Sequence, residues 1–110
     1  MQKINKPWGY EEIWAITEFY VGKKLVIFDK RRLSKQFHVK KTETIYVQKG
    51  ILTLGLLDRE IKLCEGQQFH IEAGTIHRFS ANEGDVILFE VSTPELEDVV
   101  RLEDDYNRIA

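Results

Sequence analysis

The stretch SKQFHVKKTETIYVQKG, residues 34–50, places metal-ligating and ionisable side chains at alternate positions of a strand-like run. Gln36, His38 and Lys40 occupy every second position, so they would project from one face of a β-strand. A turn at residues 41–42 can bring the carboxylate of Glu43 back towards His38. An imidazole, a carboxylate and an amide oxygen suit a divalent metal ion, but a strand that merely faces solvent would show the same alternation.

A further histidine in the stretch GQQFHIEAGTIHRFSAN, residues 66–82, favours the metal site over the solvent-facing strand. Gly74 is placed for a tight turn, and His77 opens the strand that follows it. His38 and His77 are thus both expected near strand ends beside turns. The remaining histidine, His70, alternates with apolar residues, so we expect it outside the site.

Short β-branched and aromatic runs separated by turn formers indicate the elements that would position these side chains. Roughly nine such runs at this spacing predict an antiparallel sandwich or barrel, because the connections are too short for helical crossovers. The predicted strands cover residues 11–17, 19–28, 36–39, 44–48, 51–57, 60–64, 68–72, 76–81 and 86–92. Beyond them, Thr93, Pro94 and Glu95 can begin a short helix, and a turn followed by extended chain is the alternative.

Composition narrows the class of protein. The chain has 110 residues, 43% of them hydrophobic, which predicts one domain over residues 1–110. Sixteen basic against eighteen acidic residues, without a clustered basic surface, argue against nucleic-acid binding.

The single cysteine, Cys64, excludes an internal disulfide and fits a reducing cytoplasm, and its apolar surroundings predict burial. With no apolar signal core and no run of ~20 apolar residues, we expect a cytoplasmic protein that does not bind membranes.

The spacing of the two chemistry-bearing stretches resembles the two motifs of the cupin superfamily. The first motif matches Gln36-x-His38, four residues, Glu43, six residues and Gly50, with Gln36 in the place of the first histidine. The second motif matches at its two glycines and its histidine, Gly66, Gly74 and His77. Glu72 stands where the motif has proline, and the final asparagine is displaced by one position, to Asn82. Fifteen residues, 51–65, separate the motifs.

The resemblance extends over most of the chain. The stretches KPWGYEEIW, LSKQFH, GTIHRF and EVSTPELEDVVRLEDDYNR are similar to the C-terminal cupin domain of type II mannose-6-phosphate isomerase/mannose-1-phosphate guanylyltransferase and its stand-alone relatives. This resemblance implies an all-β cupin fold, a double-stranded β-helix or jelly-roll. It would form a small barrel with a short irregular or helical C-terminal tail. The family tendency to pair through exposed strands implies a homodimer.

The resemblance also implies a ligand set. Zinc-dependent phosphomannose isomerases hold their metal with a glutamine, two histidines and a glutamate, which correspond here to Gln36, His38, Glu43 and His77. The cofactor would be a divalent metal ion, with zinc preferred and manganese, iron or nickel as alternatives.

The implied activity is that of a metal-dependent sugar-phosphate isomerase, which interconverts an aldose and a ketose through an enediolate. Lys40 is the candidate catalytic residue, because it could contact a phosphate or an enediolate oxygen. Further candidates for binding a phosphorylated or nucleotide-linked sugar lie in the tail, at Arg101, Tyr106 and Arg108. Two alternatives stay open: a non-catalytic metal- and sugar-binding cupin that acts with a partner enzyme, and a cupin dioxygenase, which the glutamine ligand disfavours.

Overall fold

The computed structural model describes residues 2–108, which form two antiparallel β-sheets and contain no helix. The strands are β1 (Gln2–Lys6), β2 (Gly9–Ile16), β3 (Val21–Ile27), β4 (Lys35–Phe37), β5 (Glu43–Lys49), β6 (Leu52–Leu56), β7 (Glu60–Leu63), β8 (Gln68–Ile71), β9 (His77–Ser80), β10 (Val86–Ser92) and β11 (Val100–Glu103). One sheet has the order β1-β2-β3-β10-β5-β8 and the other β11-β4-β9-β6-β7. The predicted all-β fold class is confirmed.

Strands β1 and β11 are not among the predicted runs, because neither carries an apolar pattern of its own. β1 forms by pairing along the whole of its length with β2, and β11 pairs with β4. The tail between β10 and β11 is a turn followed by extended chain. The helix considered for residues 93–95 is therefore wrong, and the extended alternative is correct.

The inner face of the six-stranded sheet is apolar at one end and charged at the other. Along β10, buried Val86 and Leu88 are followed on the same face by buried Glu90. The apolar half packs against the smaller sheet through Leu25, Ile27, Ile45, Val47, Val86, Leu88, Leu52, Leu54 and Phe79. Burying each such side chain contributes about 1.5–3 kcal/mol, so this half holds the sheets together. The charged half contains the candidate site.

The backbone requires a glycine at the position that closes the first motif, Gly50. Gly50 has a φ of 87°, and a Cβ built there would lie 2.3 Å from the carbonyl oxygen of Asp85. Gly66, which opens the second motif, has a φ of 86° but no atom within 4 Å of the same position. Both glycines allow a left-handed turn, and Gly50 alone also allows a close approach of two backbones.

Two further expectations concern the surface. Cys64 is exposed, so its predicted burial is wrong: β7 ends at the buried Leu63, and Cys64 begins the following turn. Between Gln2 and Arg108, the chain forms no helix of the length and apolarity needed to cross a membrane.

Candidate metal-binding site

Three of the four predicted ligands meet at the charged end of the barrel. Glu43 Oε1 lies 3.4 Å from His38 Nε2 and 3.2 Å from His77 Nε2. One ligand atom from each of the three residues lies within 4.8 Å of the others, and all three side chains are buried. The edge of a tetrahedron of ligands around zinc is ~3.3 Å for metal–ligand distances of ~2.0–2.1 Å. The observed separations fit that edge.

Backbone carbonyls orient both imidazoles. His38 Nδ1 lies 2.6 Å from the carbonyl oxygen of Asp98, and His77 Nδ1 lies 2.8 Å from that of Thr75. A carbonyl only accepts hydrogen bonds, so each Nδ1 carries a proton, and each Nε2 is the ring nitrogen that faces Glu43. His38 Nε2, His77 Nε2 and Glu43 Oε1 are buried without a hydrogen-bond partner. If both Nε2 atoms are unprotonated, as metal binding requires, these three atoms are lone-pair donors that face one another, and a divalent cation would relieve their repulsion.

The charge of Glu43 is maintained despite its burial. Burial alone would raise the pKa of this carboxyl, but His38, His77 and Lys41 outweigh that effect and hold the pKa well below its usual range. The group is therefore a carboxylate at neutral pH, the form that binds a metal ion.

Gln36 lies beside this cluster. It is the cross-strand partner of His77 and lines the same cavity as His38 and Glu43. Its Oε1 accepts a hydrogen bond of 2.6 Å from the hydroxyl of Ser34. The amide oxygen is thus held at the edge of the cluster by a buried serine. The fourth predicted ligand therefore shares the cavity of His38 and Glu43, and its oxygen already has one partner.

The predicted position of Lys40 is wrong. β4 ends at Phe37, so the alternation does not continue, and Lys40 is exposed and absent from the cavity wall. Its neighbour Lys41 is buried instead, with Nζ 3.4 Å from both Glu43 Oε2 and Glu90 Oε2. Burial alone would lower the pKa of Lys41, but the charges of Glu90 and Glu43 raise it. Lys41 is therefore a cation inside the barrel.

Asp98 explains why the chain turns after Phe37. Its carboxylate accepts hydrogen bonds from three consecutive backbone N–H groups, those of Val39, Lys40 and Lys41, at 2.7–3.0 Å. These bonds lower the pKa of Asp98 to about 2. Because its carbonyl also orients His38, Asp98 links the tail to the site. It lies 60 residues from His38, and no local sequence signal distinguishes it from Asp104 and Asp105 in the same tail.

Glu90, like Lys41 and Asp98, is a site residue absent from the sequence predictions. Burial raises its pKa to about 7, with a further contribution from the charge of Glu43. The sequence signal was a single carboxylate at an inward position of the apolar run VILFEVS. An acidic residue on a core face requires a partner, and here that partner is Lys41.

The tail residues predicted to bind substrate differ in their positions. Arg101 and Arg108 line a cavity of about 120 Å³ that also contains His38 and Glu43. Arg101 Nε is buried without a hydrogen-bond partner, whereas Arg108 makes a two-pronged ion pair with Asp104 at 2.8 and 3.0 Å. Tyr106 does not line the cavity: it packs against the apolar core, beneath the guanidinium of Arg108.

His70 lies outside the cluster, where the sequence places it. Its side chain is half exposed on β8 and contacts Thr44 and Glu72. It therefore provides a natural control for experiments on the two buried histidines.

Two sequence comparisons identify relatives of this chain. Residues 1–105 match the family model described as mannose-6-phosphate isomerase C-terminal. Over 113 residues the chain is 32% identical to the xanthan biosynthesis protein XanB of Xanthomonas campestris pv. campestris, which covers 97% of this chain but only 24% of that protein. The chain thus spans about a quarter of this curated relative.

Solved structures show the same fold at low sequence identity. KdgF from Halomonas sp. superposes with a TM-score of 0.80 at 19% identity, covering 89% of this chain and 90% of that one. A cupin-2 domain protein from Shewanella frigidimarina gives a TM-score of 0.68 at 22% identity, covering 80% and 82%. The predicted cupin fold is confirmed, and the chain belongs to the mannose-6-phosphate isomerase C-terminal family.

Proposed function

We propose that the chain is a metal-dependent sugar-phosphate isomerase of the mannose-6-phosphate isomerase type. The observation that carries the proposal is the buried His38–Glu43–His77 cluster, two of whose members, His38 and Glu43, line a cavity rich in basic side chains. Five basic and three acidic side chains line that cavity, namely Lys6, Lys23, Lys41, Arg101, Arg108, Glu11, Glu43 and Glu90. With a divalent cation added, the excess of positive charge suits an anionic substrate.

Gln36, His38, Glu43 and His77 would hold the cation. Nitrogen and oxygen donors of this kind suit zinc, and manganese, iron or nickel are alternatives. The bound ion supplies Lewis-acid polarisation of a carbonyl oxygen. The carbonyls that fix the two imidazoles keep both Nε2 atoms aimed at one point before any ion arrives.

Lys41 takes the place that the sequence assigned to Lys40. Because it is an ammonium fixed between Glu43 and Glu90, it donates hydrogen bonds and does not abstract protons. In the proposed isomerisation it stabilises negative charge that develops on a substrate oxygen. Its contact with Glu43 Oε2 also leaves Oε1 as the single oxygen directed at the two imidazoles.

Arg101 and Arg108 bind the phosphate in this proposal. A guanidinium presents several N–H donors in a plane and recognises phosphate through two parallel hydrogen bonds. Arg101 has an unsatisfied Nε at the cavity wall, and its cross-strand partner is Gln36. A phosphate there would lie close to the cation, as a small sugar phosphate requires. Tyr106 supports Arg108 from below and is not a direct contact.

One observation favours a second candidate, a metal- and sugar-binding domain without catalysis of its own. The chain corresponds to about a quarter of its curated relative, so the chemistry could belong to another part of that longer protein. In this case the same cavity would bind a sugar phosphate and present it to a partner enzyme. The homodimer and the cytoplasmic location stay predictions under either function.

The test is isotope exchange. We expect zinc-loaded protein in deuterium oxide to incorporate deuterium next to the carbonyl of at least one member of a panel of hexose, pentose and heptose phosphates. His77→Ala should abolish the exchange, and His70→Ala should leave it unchanged. Binding of a sugar phosphate without exchange would overturn the isomerase and support the binding domain.

A further inference from the structure

A second set of buried charges lies in the cavity, away from the metal ligands. Glu11 on β2 and Lys23 on β3 are both only 8% exposed. Lys23 Nζ lies 3.6 Å from Glu11 Oε2, and Lys6 Nζ lies 3.9 Å from Glu11 Oε1. Neither Glu11 nor Lys23 has a part in the proposed metal binding or phosphate binding.

The register of the large sheet joins this pair to the candidate site. Lys23 is the direct cross-strand partner of Glu90, whose Oε2 is buried without a hydrogen-bond partner. Glu11, Lys23 and Glu90 line the same cavity as His38 and Glu43. The wall formed by β2, β3 and β10 is therefore charged, as is Glu43 on β5, whereas the other half of the inner face of this sheet is apolar.

The Glu11–Lys23 pair keeps hydrogen-bonding capacity towards the cavity. Both separations exceed the hydrogen-bond range, so the two ion pairs leave donors and acceptors unused. Buried charges are costly unless additional hydrogen bonds satisfy their remaining lone pairs and protons. A cavity of about 120 Å³ has room for roughly four waters at ~30 Å³ each, more than a metal ion alone needs. A polar ligand group in that space would supply the missing bonds.

We propose that Glu11 and Lys23 form a subsite for the hydroxyl groups of the sugar, an inference that rests on the proposed sugar-phosphate substrate. A carboxylate accepts hydrogen bonds and donates none, so Glu11 repels a phosphate dianion. A hydroxyl group can donate to Glu11 and accept from Lys23 at once. The phosphate therefore lies towards Arg101 and the hydroxyl-bearing carbons lie towards β2 and β3.

This subsite makes the cavity selective for hydroxylated ligands. A site built to hydrogen-bond a hydroxyl group rejects an analogue that lacks it, because the buried polar groups are then unpaired. For one hydroxyl bonded to charged partners we expect a loss of affinity of roughly 10- to 100-fold.

The experiment measures the affinity of zinc-loaded protein for mannose 6-phosphate, its 2-, 3- and 4-deoxy analogues, and inorganic phosphate, by titration calorimetry. In the native protein at least one deoxy analogue should bind 10- to 100-fold more weakly than the parent sugar phosphate. In the Glu11→Gln/Lys23→Met variant, which removes both charges together, the parent and that analogue should bind equally. Inorganic phosphate should bind both proteins alike.

The matched control is the Glu12→Gln/Lys24→Met variant. Glu11 and Lys23 are diagonal neighbours on β2 and β3, whereas Glu12 and Lys24, one residue along on the opposite face of the sheet, are direct cross-strand partners. This variant should keep the native discrimination. If the double variant loses cooperative unfolding or its zinc, the same affinities are measured with Glu11→Gln alone, which preserves the shape of the side chain.

The outcomes separate this inference from the isomerase proposal. Deuterium exchange that persists with an unchanged KM in the Glu11→Gln/Lys23→Met variant would overturn the subsite and leave the isomerase intact. Discrimination between mannose 6-phosphate and a deoxy analogue without any exchange would support the subsite and overturn the isomerase. Mannose 6-phosphate binding no more tightly than inorganic phosphate would overturn the subsite.

Discussion

The buried lysine gives the sharpest prediction about stability. Replacing Lys41 by methionine keeps the length of the side chain and removes its charge. The ammonium now lies 3.4 Å from one oxygen of Glu43 and 3.4 Å from one oxygen of Glu90, and all three side chains are almost fully buried. Without Lys41, the buried Glu43 carboxylate would lose its cation, and Glu90, whose pKa is already about 7, would have to take up a proton or face Glu43 as a second anion.

The expected cost follows from that burial. Removing one partner of a buried ion pair typically costs 3–5 kcal/mol, because the partner left behind keeps its desolvation penalty. In metal-free protein we therefore expect Lys41→Met to lower the free energy of unfolding by about 3–5 kcal/mol. Lys40→Met, at an exposed position one residue earlier, should change it by less than about 0.5 kcal/mol.

The assay is urea denaturation of metal-free protein at pH 7, followed by circular dichroism and tryptophan fluorescence. Adding Glu90→Gln to Lys41→Met removes one of the two opposed carboxylates and should recover about 1–3 kcal/mol. In the native background, the same Glu90→Gln substitution should lower the free energy of unfolding, because there it removes a partner of Lys41. A change of sign between the two backgrounds is the signature of the buried ion pair.

Two results would refute this reasoning. One is a cost for Lys41→Met below about 1 kcal/mol, comparable with that of Lys40→Met. The other is an effect of Glu90→Gln that is the same in both backgrounds, since Lys41 and Glu90 would then act independently.

Three further predictions concern the motif glycines and the tail. Gly50→Ala should cost at least 2 kcal/mol more than Gly66→Ala, because only Gly50 faces a backbone oxygen at contact distance. Asp98→Asn should weaken zinc binding roughly 10-fold, because it disturbs the loop that positions a ligand imidazole. The ion pair with Arg108 lowers the pKa of Asp104 to about 2. Above pH 4 the pair should therefore contribute about 1 kcal/mol to the free energy of unfolding, after allowance for solvent screening. Because the folded pKa is depressed, that contribution should fade as the pH drops through 2.

Each of these predictions has its own contrary result. Equal unfolding free energies for Gly50→Ala and Gly66→Ala would argue against the close approach of the two backbones. Zinc affinity that falls as much in Glu97→Gln as in Asp98→Asn would show a general effect of charge in the tail. Asp104→Asn would count against the ion pair if its destabilisation were as large at pH 2 as at pH 6.

The convergence of the metal ligands could be predicted because local spacing decides most of it. Gln36, His38 and Glu43 lie within eight residues of one another, and the turn after His38 returns the chain on itself. His77 joins them because Gln36 is its cross-strand partner. The spacing between the two motifs fixes the lengths of the strands and turns that connect them. It therefore determines that the strand of Gln36 and the strand of His77 pair at these two residues.

The choice between Lys40 and Lys41 could not be predicted from local pattern. Strand alternation places Lys40 inward, but Asp98 captures three consecutive backbone N–H groups and ends the strand after Phe37. That contact joins residues about 60 positions apart, so no window of sequence contains it. Strand β11 has the same origin, since its charged sequence becomes a strand only by pairing with β4.

The central claim is that the two buried histidines and Glu43 hold one divalent cation, and zinc stoichiometry tests it most directly. Protein reconstituted with zinc and then dialysed should retain one ion per chain, and so should His70→Ala, whose imidazole is exposed. His38→Ala and His77→Ala should each retain less than a tenth of an ion under the same conditions. Native protein that emerges empty, or an equal loss in all three histidine variants, would contradict the account.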